Sequence, residues 1–149
     1  MEEKMRITII EPEDGEEDEI MIRCRHLDKW LLKLIYAIKA GEEKITVLHD
    51  GNYFQVAPEE IYYFEAVDNK VFLYLEKEVY ETKRKLYELE QIFQGTDFFR
   101  ASKSCIVNLA KVKSLSPAFN GRFEAFMRNG ERVMISRQYV SALKEKLGL

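Results

Sequence analysis

Three short polar segments interrupt an otherwise strand-like chain, and their side chains share one chemistry. Asp68-Asn69-Lys70 offers an amide and an ammonium, Arg100-Ala101-Ser102-Lys103-Ser104 two cations and two hydroxyls, and Ser136-Arg137-Gln138 opens a helix. Amides, hydroxyls and cations of this kind meet phosphate oxygens and base edges. Arg137 is the most pointed of them. A cation in the first turn of a helix faces the positive end of the macrodipole, an arrangement that an anion would repair. The free N–H groups of a helix start bind phosphate, and an arginine beside them reaches phosphate or guanine.

No catalytic constellation competes with this chemistry. His26 and His49 are each alone, with no metal-ligand spacing, no nucleophile elbow and no glycine-rich phosphate loop. Asp50 beside His49, before Gly51, reads as a turn residue. Glu59-Glu60 and Glu88/Glu90 read as solvated charge on a loop and a helix face. Cys24 and Cys105 stand far apart without a CxxC spacing, so neither a zinc site nor a disulfide framework is expected. The sequence implies no enzyme activity, metal or cofactor.

Charge distribution favours a polyanion. The net charge is −3, yet residues 97–149 carry 10 basic and 4 acidic side chains while both preceding segments are acidic. Such asymmetry marks a polyanion-facing surface. MEEKMRITII lacks the pattern of a secretory signal, and WLLKLIYAI is too short to span a bilayer, so a soluble, cytoplasmic protein is expected.

The elements that must position the polar segments can be read from hydrophobic period and turn chemistry. MRITII (5–10) and IMIRC (20–24) read as short strands around the acidic loop EPEDGEEDE. Leu27, Trp30, Leu31, Leu34, Ile35 and Ile38 form the apolar stripe of a helix that Gly41 ends, a β-β-α lead-in whose stripe serves either as core or as a dimer surface. From Lys44 the chain turns to hairpins. ITVLH and NYFQV flank Asp50-Gly51, IYYFEAV and VFLYLE flank Asp68-Asn69-Lys70, RFEAFM follows Asn120-Gly121, and Asn129-Gly130 precedes RVMIS. One helix is expected over Lys83–Phe93, burying Leu86, Leu89 and Ile92 and stopping at Gly95. A last helix starts at Ser136 as N-cap and buries Tyr139, Val140, Leu143 and Leu147. The fold class is α+β and β-rich, an antiparallel meander with short helices. Its domains are an accessory unit over 1–43 and a main domain over 44–149.

FFRASKSCIVNL (98–109), followed by a meander ending in NGERVMISRQYVSALKEKL, resembles the LytTR-type DNA-binding domain of bacterial transcription regulators. IYYFEAVDNKVFLYL resembles that family's first hairpin and ETKRKLYELEQIF its mid-domain helix. The resemblance implies loops inserted into successive major grooves of double-stranded DNA, commonly at paired repeats in promoters. Base-reading positions would fall on Asn69 or Lys70, on Lys103, and on Arg137 with Gln138 beside it. Phosphate contacts would fall on Arg100, Ser102 and Ser104. Asn108 matches a family position too, where a strand-end structural role is equally open. Elsewhere in the family the first-loop residue is often histidine or tyrosine. About forty residues precede the domain, too few for a doubly wound receiver, so phosphorelay control is not expected. The chain is similar to small stand-alone LytTR regulators, some of which are restrained by a membrane protein.

The leading expectation is therefore a sequence-specific DNA-binding transcription regulator, acting as a homodimer or as paired monomers. Two other classes remain open. A single-strand or RNA binder would stack bases on Tyr62, Phe64, Phe72 or Tyr74. A protein-interaction module would work through the Trp30 helix.

Overall fold

The computed structural model describes residues 5–149, so residues 1–4 of the expected lead-in lie outside the described residues. Residues 5–28 contain a turn at Glu13–Glu16 but neither of the two expected strands. MRITII and IMIRC are not paired with each other or with the body of the protein. Two short runs joined by a highly charged loop have too little to bury as an isolated hairpin. The helix of the lead-in does form, as α1 (Lys29–Glu42), with Asp28 Oδ1 accepting from Leu31 N at 2.9 Å as its N-cap. It runs through Gly41 rather than ending there. Leu31 is the only buried member of the expected stripe; Ile35 and Ile38 are half-buried, while Leu27, Trp30 and Leu34 are exposed.

Ten antiparallel strands follow: β1 (Ile45–His49), β2 (Asn52–Val56), β3 (Tyr63–Val67), β4 (Lys70–Tyr74), β5 (Val79–Thr82), β6 (Phe98–Ser102), β7 (Cys105–Asn108), β8 (Val112–Pro117), β9 (Phe123–Met127) and β10 (Arg132–Ile135). Seven form one sheet in the order β2-β1-β5-β4-β3-β7-β6, and three form a second in the order β10-β9-β8. α2 (Leu86–Ile92) bridges β5 to β6, and α3 (Arg137–Leu147) closes the fold. Asp50, Asp68 and Asn69 take positive φ (49°, 51° and 63°), as tight two-residue hairpin turns require. The second of these turns is therefore Asp68-Asn69 alone, and Lys70 is the first residue of β4. Among the described residues no helix is long and apolar enough to cross a membrane.

Two cores occupy opposite faces of the large sheet. Phe64, Leu73 and Ile106 point to one, packed under α2 with Leu89 and Phe93. Tyr63, Val107 and Ala101 point to the other, packed against β9, β10 and α3 with Ala125, Ile135 and Leu143. A strand covered on both faces shows a continuous apolar run rather than alternation, which is why IYYF and CIV lack a period of two. Burying a side chain such as Phe64, Leu89 or Leu143 contributes about 1.5–3 kcal/mol. On the Phe64 side, Phe93 and Phe98 stack with ring centroids 4.4 Å apart. Leu147, expected in the core, is exposed beyond the last covered turn of α3.

Two polar side chains tie elements together where they join. Asn108 donates through Nδ2 to Ile61 O (2.8 Å) and accepts at Oδ1 from Ala110 N (3.1 Å), so its role is structural. Lys146 Nζ donates to Thr96 O (2.7 Å), tying the end of α3 to the turn after α2. Burial, and then Lys33 nearby, hold the pKa of Lys146 below the ordinary lysine value.

That turn is also where α1 rests. Gly95 takes φ +79°, and a Cβ there would stand 2.5 Å from Tyr36 Cδ2. Gly95→Ala is expected to lower stability by about 1–2 kcal/mol from the left-handed backbone alone, and to push Tyr36 away. Thermal unfolding together with proteolysis after α1 checks both effects. An unchanged midpoint would show that the turn relaxes freely.

Candidate nucleic-acid interface

The hairpin turn of β3–β4 and that of β6–β7 lie at the same end of the large sheet, because β3 and β7 are antiparallel neighbours with Glu65 opposite Cys105. Ala66 N donates to Ser104 O (2.8 Å), locking the two turns together. Adjacent strands are about 4.8 Å apart, which spaces these turns by roughly 10 Å across the sheet end. The β6–β7 ladder slips between Arg100 and Ser102, a bulge, and on the free edge of β6 the Ala101 carbonyl accepts from Ser136 N at 2.8 Å. The start of α3 is thereby fixed beside the second turn. The three polar segments form a row in the order Asn69, Lys103, Arg137.

Within the row the side chains are not equivalent. Asn69 sits in its turn with φ 63°, exposed. Lys70 Nζ lies 3.9 Å from Glu81 Oε1, a loose surface pair. Lys103, Arg137 and Gln138 are exposed, and among the described residues no hydrogen bond or ion pair occupies their side chains. The Arg137 stem passes over Gly121: a Cβ on that glycine would meet Arg137 Cδ at 3.1 Å, and φ is +72° there. Asn120-Gly121 is thus a floor for Arg137 as well as a turn. Ser102 Oγ accepts from Ser104 N at 3.2 Å and shapes the second turn. Ser102, Ser104 and Ser136 line one cleft with Arg122 and Arg132. The Ser136 hydroxyl, expected as an N-cap, makes no cap bond and is buried without a partner.

Arg100 is placed differently from the other cations. Its side chain is 18% exposed, and its guanidinium donates to Ser102 O (Nε, 2.6 Å), Lys103 O (Nη2, 2.6 Å) and Glu90 Oε2 (Nη1, 2.8 Å). Each of its three nitrogens donates one hydrogen bond within the protein. Glu90 is correspondingly no idle surface charge; it reaches from α2 to hold this arginine.

Sequence reasoning passed over Lys83, Arg84 and Lys85. They precede α2 rather than starting it, and they line a groove with Asn69 and Lys70. Lys85 N is satisfied by Glu88 Oε1 at 3.3 Å, which sets where the helix begins. The signal was a run of three cations, hidden by being read as the helix's first turn.

The two thiols differ sharply. Cys24 is exposed, whereas burial, reinforced by Glu65, pushes the Cys105 thiol up to about 12. A thiol reagent is expected to modify one cysteine of the native protein, the exposed Cys24, and to reach Cys105 only after unfolding. Two rapidly reacting thiols would mean that β7 opens readily. His49 and Asp50 pair at 3.3 Å at the tip of the first hairpin, and no cluster of three metal-ligating side chains occurs among the described residues.

Comparison with known proteins agrees with this geometry. Residues 51–148 match the LytTr DNA-binding domain family. The sensory transduction protein LytT of Enterococcus faecalis is 33% identical over 107 residues, 72% of this chain and 44% of that protein. The transcriptional regulatory protein YpdB of Escherichia coli K12 is 26% identical over 108 residues, again 72% of this chain and 44% of that protein. The chain thus spans less than half the length of these relatives. A solved LytTr DNA-binding domain from Bacillus cereus superposes with a TM-score of 0.68 and 30% identity, covering 73% of this chain and all of that one. With the match spanning most of the ten-strand body and the polar row at its edge, the chain belongs to the LytTR family and carries its DNA-binding domain.

Proposed function

We propose that the protein is a sequence-specific regulator of transcription that reads double-stranded DNA with the row Asn69, Lys103, Arg137. The observation that carries this is the pair of unengaged cations, Lys103 and Arg137, held on neighbouring rigid elements at one end of the sheet. Free cations on fixed backbones supply direct readout of base edges. Ser102 and Ser104 contribute phosphate contacts, and Lys70 with Lys83, Arg84 and Lys85 extends a cationic track beyond the first turn. Gln138 flanks Arg137 on the outer side. Arg100 holds the second turn in shape and does not contact phosphate. Residues 1–43 form an accessory unit that brings two copies together on repeated sites in the cytoplasm, and a membrane protein is the partner that restrains it.

A single-strand platform is disfavoured because Tyr62 and Phe64 are buried and Tyr63 stacks on Tyr74 in the core side of the sheet. The experiment is selection of duplexes from a random pool, followed by affinity measured against salt on the recovered duplex and on its single strands. A repeat of fixed spacing and a log–log salt slope of about −0.9 per phosphate contacted are expected. Equal affinity for single strands, or a flat salt response, would overturn the reading.

A further inference from the structure

Apart from the contact of α1 with the Gly95 turn, the stretch ahead of the DNA-binding body presents an apolar surface that is largely uncovered among the described residues. Ile7 is 86% exposed, Ile9 94% and Ile20 72%, and the surface continues onto α1 through Trp30 at 54%. Ten of the exposed large apolar side chains fall between Met5 and Tyr36. At on the order of 100 Å² each, they reach the roughly 800 Å² per partner of a specific protein interface. Among the described residues, no backbone group from Glu17 to Leu27 has a hydrogen-bond partner within the chain. These residues have both the surface and the free backbone groups for strand pairing.

The order of side chains says what the partner is. Residues 17–25 read Glu-Asp-Glu-Ile-Met-Ile-Arg-Cys-Arg, with acids at one end and arginines at the other. Such a segment is complementary to itself run backwards. Pairing it antiparallel with its own copy about Met21 sets Glu17 opposite Arg25 and Glu19 opposite Arg23, each twice, and Ile20 opposite Ile22. Because a strand alternates its faces, the four ion pairs fall on one face with Met21, and Ile20, Ile22 and Cys24 fall on the other, with Asp18 opposite Cys24 at each end. A shift by one residue in one direction sets Arg23 opposite Ile20; in the other it pairs Arg23 with Asp18 and Arg25 with Glu16 but leaves Glu19 opposite Ile22 and Glu17 opposite Cys24.

We infer that residues 17–25 form a two-stranded antiparallel ribbon with the same residues of a second copy, on a two-fold axis at Met21. An isologous contact of this kind closes as a dimer and leaves the acidic loops at opposite ends, apart from one another. The apolar face of the ribbon then continues into the Trp30 side of α1. The inference rests on the dimer reading above and specifies the segment that makes it.

The test uses the full chain. In a Cys24→Ser background, Met21→Cys should form a disulfide between copies under mild oxidation, since the two residues face each other across the axis. Ile20→Cys in the same background should not, because its own mate lies two residues out of register. Glu19→Lys and Arg23→Glu should each weaken the dimer about tenfold in sedimentation, and the two together should restore it. A dimer that resists both changes, or that cross-links equally through positions 20 and 21, would overturn the ribbon while leaving the dimer reading intact. A chain that sediments as a monomer at every concentration, alone and on a two-site duplex, would remove the dimer reading and the ribbon with it.

Discussion

Replacing Arg100 with alanine is expected to weaken specific recognition of DNA while leaving the salt dependence of non-specific binding unchanged. The guanidinium holds two successive carbonyls, those of Ser102 and Lys103, and is itself held by Glu90 at 2.8 Å. Without the fork, the second turn loses the bonds that fix where Lys103 points, and the hydroxyls of Ser102 and Ser104 lose their frame. The loss on a specific duplex should be at least the 1–3 kcal/mol carried by one base contact, with about 1–2 kcal/mol of stability lost as well. A phosphate-contacting arginine would behave in the opposite way: every duplex would weaken about equally and the salt slope would fall by about one contact. Arg100→Lys should recover little, because an ammonium cannot span two carbonyls and a carboxylate. Glu90→Gln should give a milder version of Arg100→Ala. A reduced salt slope with specificity preserved would return Arg100 to the phosphate backbone.

Arg100 also shows where reading the sequence reaches its limit. The polar centre of FFRASKSCIVNL was legible as a turn held out from the sheet because its flanks are plainly strand and its side chains plainly are not. The fate of its first cation was not, since two of its three partners are backbone carbonyls, which every residue has, and the third sits ten residues upstream on another element. The hairpins at Asp50-Gly51 and Asp68-Asn69 were legible because positive φ is a local demand met by few residue types. The strands expected at MRITII and IMIRC had the right period, but a strand exists only where something pairs with it. Among the described residues nothing pairs with them. The same logic hid the groove of Lys83, Arg84 and Lys85: whether three cations open a helix or precede it depends on where Glu88 caps, a choice of three residues that periodicity does not resolve.

Arg137→Ala is expected to cost about 1–3 kcal/mol on the specific site and to relax preference at one base pair, with non-specific affinity nearly unaltered. The residue is exposed at the mouth of α3, its stem lies across Gly121, and its helix start is pinned to Ala101 by the backbone bond from Ser136. Rigid backbone below and an unengaged guanidinium above are the conditions for reading a base edge bidentately. Substitution should not disturb folding, because Val140 and Leu143 anchor α3 independently of its first residue. Gly121→Ala supplies the companion measurement. It leaves the arginine in place but crowds its stem at 3.1 Å and strains a backbone at φ +72°, so it should lose specificity while retaining charge and therefore the salt slope. Binding to the selected duplex and to a scrambled one, each across a salt series, separates these outcomes. If Arg137→Ala lowers affinity for both duplexes alike, α3 lies along the phosphates, and the reading of sequence falls to the two hairpin turns.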